Sequence, residues 1–234
     1  MEFDLSAIFR LLTQAPGNLI YHLVSGLTLL VLMVFAIANL RRDENPELAR
    51  HILIGCTILL VIQFLTFITI DIAENVKFLE TALSAAVFER ITAALLITWL
   101  IWTILEEKIS FLFTGSAIFL TLAIIIGGMI SIIIAGITEE PSVWSESTIL
   151  ILWEVGTVFL ILTGITLLII TKPDLHILGA FLLLMLGLGY IVKWFQPENA
   201  DLSLGSVRLA QTLALPWILT HVKRFRENVT QPKV

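Results

Sequence analysis

Apolar stretches about twenty residues long recur along this chain, and they leave few folds open to it. A helix needs about 20 mainly apolar residues to cross roughly 30 Å of hydrocarbon, because lipid offers no partner to an open backbone group. The runs predict seven spans: Asn18–Leu40, Ala49–Ile70, Leu79–Leu105, Phe111–Ile137, Thr148–Ile170, Leu175–Phe195 and Leu202–Val222. Composition agrees: 58% of the 234 residues are apolar, 14% are charged and the mean hydropathy is +0.97. A soluble domain is roughly 45–50% apolar and about 25% charged. The surplus excludes a soluble enzyme, a disordered chain and a nucleic-acid binder. The expected fold is all-α, an integral membrane seven-helix bundle over residues 18–222. A short interfacial segment, 1–17, precedes it, and a basic tail, 223–234, follows.

The breaks between spans are polar and carry stop signals. In Arg41-Arg42-Asp43-Glu44-Asn45-Pro46, Pro46 suits the first turn of the next helix and Asn45 its cap. In Lys172-Pro173-Asp174, Asp174 suits the N-cap of the sixth helix. Before the first span, Phe3, Leu5, Ile8, Phe9 and Leu12 alternate with Asp4 and Arg10. That spacing predicts a short helix lying on the bilayer surface, the alternative being a loose tail. The acidic start, Met1-Glu2-Phe3-Asp4, is unlike the basic start of a secretory signal. Cys56 is the sole cysteine, so no intrachain disulfide is available.

Orientation follows from Lys and Arg, which concentrate on the cytoplasmic side of multi-pass proteins. With the N-terminus outside, the inner segments hold Arg41, Arg42, Arg50, Lys108, Lys172, Lys223, Arg224, Arg226 and Lys233. The outer ones hold only Arg10, Lys77 and Lys193, among acidic residues such as Asp71, Glu74, Glu139, Glu140 and Glu198. The expectation is N-out, C-in, in the plasma or inner membrane. Lys193, Trp194 and Phe195 would then lie at the outer interface, where long cations snorkel and rings anchor.

Ionisable side chains inside hydrocarbon cost on the order of 2.5–3.5 kcal/mol on insertion scales, so each is a functional candidate. The third span carries Glu89 and Arg90, the fifth Glu154 beside Trp153, and the seventh Arg208 with Gln211 about a turn further on. The first carries Tyr21 and His22, and the second Gln63. In the expected topology, His22, Glu89, Arg90, Glu154 and Arg208 share the outer half, all from odd-numbered helices, while the inner half is apolar. A polar centre between helices, open to the outside, follows. It would hold a small-molecule or lipid ligand, or else only lock helix register. Glu89 and Arg90 are about 100° apart around their helix and cannot aim at one point. Glu89 with Arg208 and Glu154 with Arg90 is one arrangement that satisfies both. A proton or ion path would need polar residues continuing into the inner half.

Small residues give further expectations. Gly127, Ser131 and Ala135 follow small-xxx-small spacing, which suits a homodimer face or ordinary packing inside the bundle. Ala82, Ala85, Ala86, Ala93 and Ala94 around Glu89 place the third helix centrally. Pro216 should bend the seventh. Catalysis finds little support. There is no paired-histidine metal motif and no Gly-x-Ser-x-Gly setting, and no lysine at the middle of the last span for a retinal Schiff base. No cofactor is implied.

Pro16-Gly17-Asn18-Leu19-Ile20-Tyr21-His22-Leu23, Phe88-Glu89-Arg90 and Ser206-Val207-Arg208-Leu209-Ala210-Gln211 together form a pattern. It resembles the N-terminal seven-helix membrane module of bacterial sensor histidine kinases and related GAF-containing signalling proteins. The resemblance implies a sensory role, with Glu89, Arg90, Arg208 and Gln211 as the matching polar positions and Tyr21 and His22 as candidates in the first stretch. It also implies a cytosolic signalling domain or a partner kinase as the output. About a dozen residues follow the seventh span here, so the chain reads either as an excised module or as a stand-alone protein. Lys223-Arg224-Phe225-Arg226 suits anionic headgroups on either reading.

Overall fold

The computed structural model describes residues 17–42, 46–68, 82–105, 111–137, 143–172, 176–195 and 200–216. These form seven α-helices: α1 Gly17–Arg42, α2 Pro46–Phe67, α3 Ala82–Ile104, α4 Phe111–Ile137, α5 Val143–Thr171, α6 His176–Phe195 and α7 Ala200–Ala214. No strand occurs among the described residues. Five helices are long and apolar enough to cross a membrane: α1, α3, α4, α5 and α6. α2 has a shorter apolar stretch, Ala49–Leu65.

Helix limits follow local chemistry. α2 begins at Pro46, whose missing N–H costs nothing in a first turn. α5 ends where Lys172 turns left-handed at φ 44° and its N–H donates to Leu168 O at 3.0 Å. This is the αL stop, a single bond that satisfies a terminal carbonyl. α7 ends at Ala214, earlier than the span expected to Val222. The following Leu215 N–H bonds Gln211 O, and Pro216 lies beyond the helix in a turn. A bend produced inside α7 by Pro216 is therefore not found in the described residues. Surface helix 1–12, the caps Asn45 and Asp174, the tail 223–234 and the acidic loop residues lie outside the described residues.

Each helix packs on the next except that α5 packs mainly on α3 and α6 rather than on α4, and α7 returns against α1, so that α1, α2, α3, α5, α6 and α7 form a closed ring. α3 also packs on α4 and touches α6, which makes it the inner helix. Of its apolar stretch Val87–Ile104, 83% is buried, against 17% of the corresponding stretch of α4. The alanines around Glu89 allow that central position, because small side chains let neighbouring backbones approach. Leucine and isoleucine fill the middle of the bundle, among them Leu29, Leu59, Ile97, Leu100, Leu183 and Leu186. The outer surface is equally apolar, with Leu112, Phe119, Ile170 and Ile177 each more than 70% exposed. Water would not tolerate so large an apolar surface; lipid does.

Threonine hydroxyls inside these helices donate to the carbonyl one turn back, as at Thr28, Thr98, Thr103 and Thr157. Their polarity is thus satisfied locally, without a partner helix.

Candidate functional site

The buried charges gather at one end of the bundle, where α1, α3, α5 and α7 begin and α2, α4 and α6 end. Glu89 and Arg90 leave α3 in different directions, as their 100° separation requires. Glu89 accepts from Arg208 Nε of α7 at 2.9 Å. Arg90 donates to Glu154 Oε1 of α5 from Nε at 2.9 Å and from Nη2 at 2.8 Å. Both pairings match the one arrangement named from the sequence, although helical geometry alone does not select the partners.

Lys193 is the departure from expectation. Rather than snorkelling at an interface, it is buried, and its ammonium donates to Glu154 Oε1. Trp194 Nε1 donates to the other oxygen, Oε2, at 3.3 Å. The physical reason is Glu154 itself: one carboxylate with two oxygens accommodates two cations and an indole, and the lysine stem at the end of α6 reaches it. The cluster therefore does not come from odd-numbered helices alone. It holds three cations, Arg90, Lys193 and Arg208, against two carboxylates among the described residues, not the balanced two and two that the spans suggest.

Neutral polar groups complete this end. Tyr21 Oη donates to Gln211 Oε1, and the Tyr21 ring lies under the Arg208 guanidinium, 5.4 Å from carbon to centroid. Arg208 is thereby held by a carboxylate and an aromatic face together. Gln63 Nε2 and His22 Nδ1 are 2.8 Å apart, and the His22 ring sits edge-on to Tyr21 and Phe67. A cavity of about 30 Å³ lies between these groups. Tyr21, Gln63, Glu89, Arg90, Lys193, Arg208 and Gln211 line it, with Tyr190 as a further wall. Its floor is apolar, from Ala93, Leu96 and Ile62. Of the residues singled out from sequence, His22 lies one layer back, and Trp153 is not brought to the cavity. Trp153 Nε1 instead donates to Ser131 Oγ of α4 at 3.1 Å, and its ring lies 3.9 Å from where a Gly127 side chain would start. The small-residue stripe expected as a possible dimer face is thus occupied, at Gly127 and Ser131, by a tryptophan of the same chain. The Ala135 side chain lies outside the described residues.

The opposite end is not wholly apolar, as the sequence had suggested. The half-buried His51 ring of α2 stacks on Trp102 of α3 with centroids 3.6 Å apart, and its Nε2 lies 3.0 Å from Trp102 O. Trp102 Nε1 reaches Thr114 of α4 at 3.4 Å. Leu29, Leu59, Ile97, Leu100, Leu183 and Leu186 separate this group from the charged end. Among the described residues no group of three His, Cys, Asp or Glu side chains could hold a metal ion.

No protein-family model, curated protein or solved structure matches this chain.

Proposed function

We propose that the chain is a multi-pass sensor or receptor module of the plasma or inner membrane. Seven spans run N-out, C-in, and the charged cluster sits in the outer half, where a small molecule or lipid group enters. Binding moves α3 relative to α5, α6 and α7, and the shift passes along α7 to a cytosolic output domain or partner kinase. One observation carries this reading. Glu89 and Glu154 tie the central helix to α7 and α5, and α6 to α5, around a small polar cavity, so a ligand there competes for the bonds that set helix positions. A ligand can bias such an equilibrium only through its different affinity for the two arrangements, and ion pairs that must loosen or tighten supply that difference. The Lys/Arg asymmetry supports the orientation.

The test is ligand retention. The purified chain is screened for a bound or added small polar ligand, and Arg208→Leu and Glu154→Gln are then compared with wild type. Weakening by tenfold or more in either variant is expected; unchanged binding in both overturns the reading.

A second reading has its own support. Both carboxylates are paired and the cavity has room for about two waters, which suits a membrane scaffold whose charges fix helix register. Flux of ions across liposomes would instead favour a transporter, against which stands the leucine layer between the two polar ends.

A further inference from the structure

A second opening, larger than the polar cavity, lies between α1 and α2 at the same end of the bundle. It is a groove of about 210 Å³, walled among the described residues by Leu23 of α1 and Leu60, Phe64 and Phe67 of α2. Gly26 makes the room: a Cβ added there meets nothing within 4 Å. Along α2 the groove runs from Leu60 to Phe67, roughly 10 Å of helix. Its flanks face outward, with Leu23 52% and Phe64 62% exposed. Acyl chains are the solvent of such a surface, so hydrocarbon is what meets the groove.

The polar element is Gln63. Among the described residues it alone lines both the groove and the polar cavity, so the two openings share a wall. It is 5% exposed. Its Nε2 donates to His22 Nδ1, and its Oε1 accepts from no described residue. Burying a polar atom without a partner is unfavourable, and a ligand that supplies the partner removes that cost. Depth and size then set the ligand's head. Gln63 lies about one turn inside the end of α2. A phosphate headgroup would have to leave the interface for a cavity of about 30 Å³, room for about two waters. A hydroxyl fits, and one oxygen both donates and accepts.

We infer that the α1–α2 groove seats the hydrocarbon chain of a long-chain alcohol drawn from the bilayer, its hydroxyl hydrogen-bonded to the Gln63 amide at the wall of the polar cavity. The inference rests on the receptor reading, and gives that reading's ligand a chemical class and a side of entry. Hydrocarbon fills the space that Gly26 leaves, and the hydroxyl meets the one polar side chain common to both openings.

The test uses the full chain in phosphatidylcholine nanodiscs, where no detergent competes. A long-chain alcohol with a diazirine midway along its chain is crosslinked by light, and the labelled peptides are located by mass spectrometry. Saturable labelling confined to Leu23–Leu27 and Leu60–Phe67 is expected. Dodecanol should displace it, and dodecane, which lacks the hydroxyl, should do so roughly fivefold less well, the worth of an ordinary hydrogen bond. Gly26→Leu fills the groove and should cut the labelling at least about tenfold. Gly115→Leu, at an equally open glycine on α4, should leave it unchanged. Gln63→Leu should make dodecanol and dodecane equivalent, and decides the matter if Gly26→Leu folds poorly. Labelling that follows exposure along α1 to α6 without saturating is ordinary lipid contact and overturns the inference. So does labelling of residues 1–16 or 69–81 in place of the groove walls, or equal displacement by dodecane in wild type. Each of these leaves the receptor reading to the Arg208→Leu and Glu154→Gln comparison. Confined labelling, displaced by dodecanol and unchanged in both of those variants, supports the groove and its hydroxyl contact and overturns the receptor reading.

Discussion

Glu154 accepts from Arg90, Lys193 and Trp194, so three residues on α3 and α6 depend on one carboxylate of α5. Removing one partner of a buried ion pair costs roughly 3–5 kcal/mol, because the other is left charged and unsolvated. Glu154→Gln should therefore lower stability by about that amount, measured by thermal unfolding in detergent, and by more than Trp194→Phe, which removes only the weaker indole bond. Glu89 and Arg208 form a simpler pair. Arg208→Leu alone should cost about 3–5 kcal/mol, whereas Glu89→Leu with Arg208→Leu should cost less, since an apolar replacement of both partners leaves no buried charge. A double variant as unstable as the sum of the singles would show that the two residues do not act as a pair. These partners were legible in part. Glu89, Arg90, Glu154 and Arg208 stand out because any charge in an apolar run does. Lys193 did not, because a lysine at a helix end has a long enough stem to point either to an interface or inward.

At the scale of helices, close approach decides which neighbours form. A Cβ on Gly189 of α6 would meet Ala210 Cβ at 2.7 Å and Ser206 O at 3.1 Å on α7. Ser206 Oγ also donates to Gly189 O at 2.9 Å. The obstacle is partly backbone and cannot rotate away. Gly128 of α4 would meet the Ile91 side chain, with its Cδ1 at 2.4 Å, Cγ1 at 2.7 Å and Cγ2 at 3.4 Å, but no backbone atom. Gly189→Ala should thus destabilise by about 1–3 kcal/mol and lose the α6–α7 contact next to Lys193, whereas Gly128→Ala, which displaces a side chain and no backbone, should cost less in the same unfolding assay. Equal effects would mean that the α6–α7 approach is not tight. The helices themselves were easy to anticipate: the α4 limits Phe111–Ile137 coincide with the apolar run. Trp153 was harder. Its place beside Glu154 suggests the charged site, but at 100° per residue it points toward α4 and bonds Ser131 instead.

For the whole molecule, the bundle puts its two ends on opposite sides of any membrane it crosses. In the N-out arrangement, Phe195→Cys, at an 83% exposed position on α6, should react with a membrane-impermeant maleimide in intact cells. Arg41→Cys, at the exposed far end of α1, should react only after permeabilisation. Native Cys56 is 1% exposed and should stay silent in both. The reverse pattern would invert the orientation and place the charged cluster toward the cytoplasm.

The sequence by itself determined that the chain is helical, where most helices begin and end, and which charges sit inside them. These are local properties: an apolar helix satisfies its own backbone bonds, so its existence does not wait on its neighbours. Only the tertiary structure decided that Lys193 turns inward, that Trp153 fills the Gly127–Ser131 face, that His51 and Trp102 form a second polar contact, and that Lys193 joins Arg90, Arg208 and Glu89 among the described residues lining one cavity. Each depends on which helix face meets which, and helices that are apolar all round carry no amphipathic stripe to announce that choice.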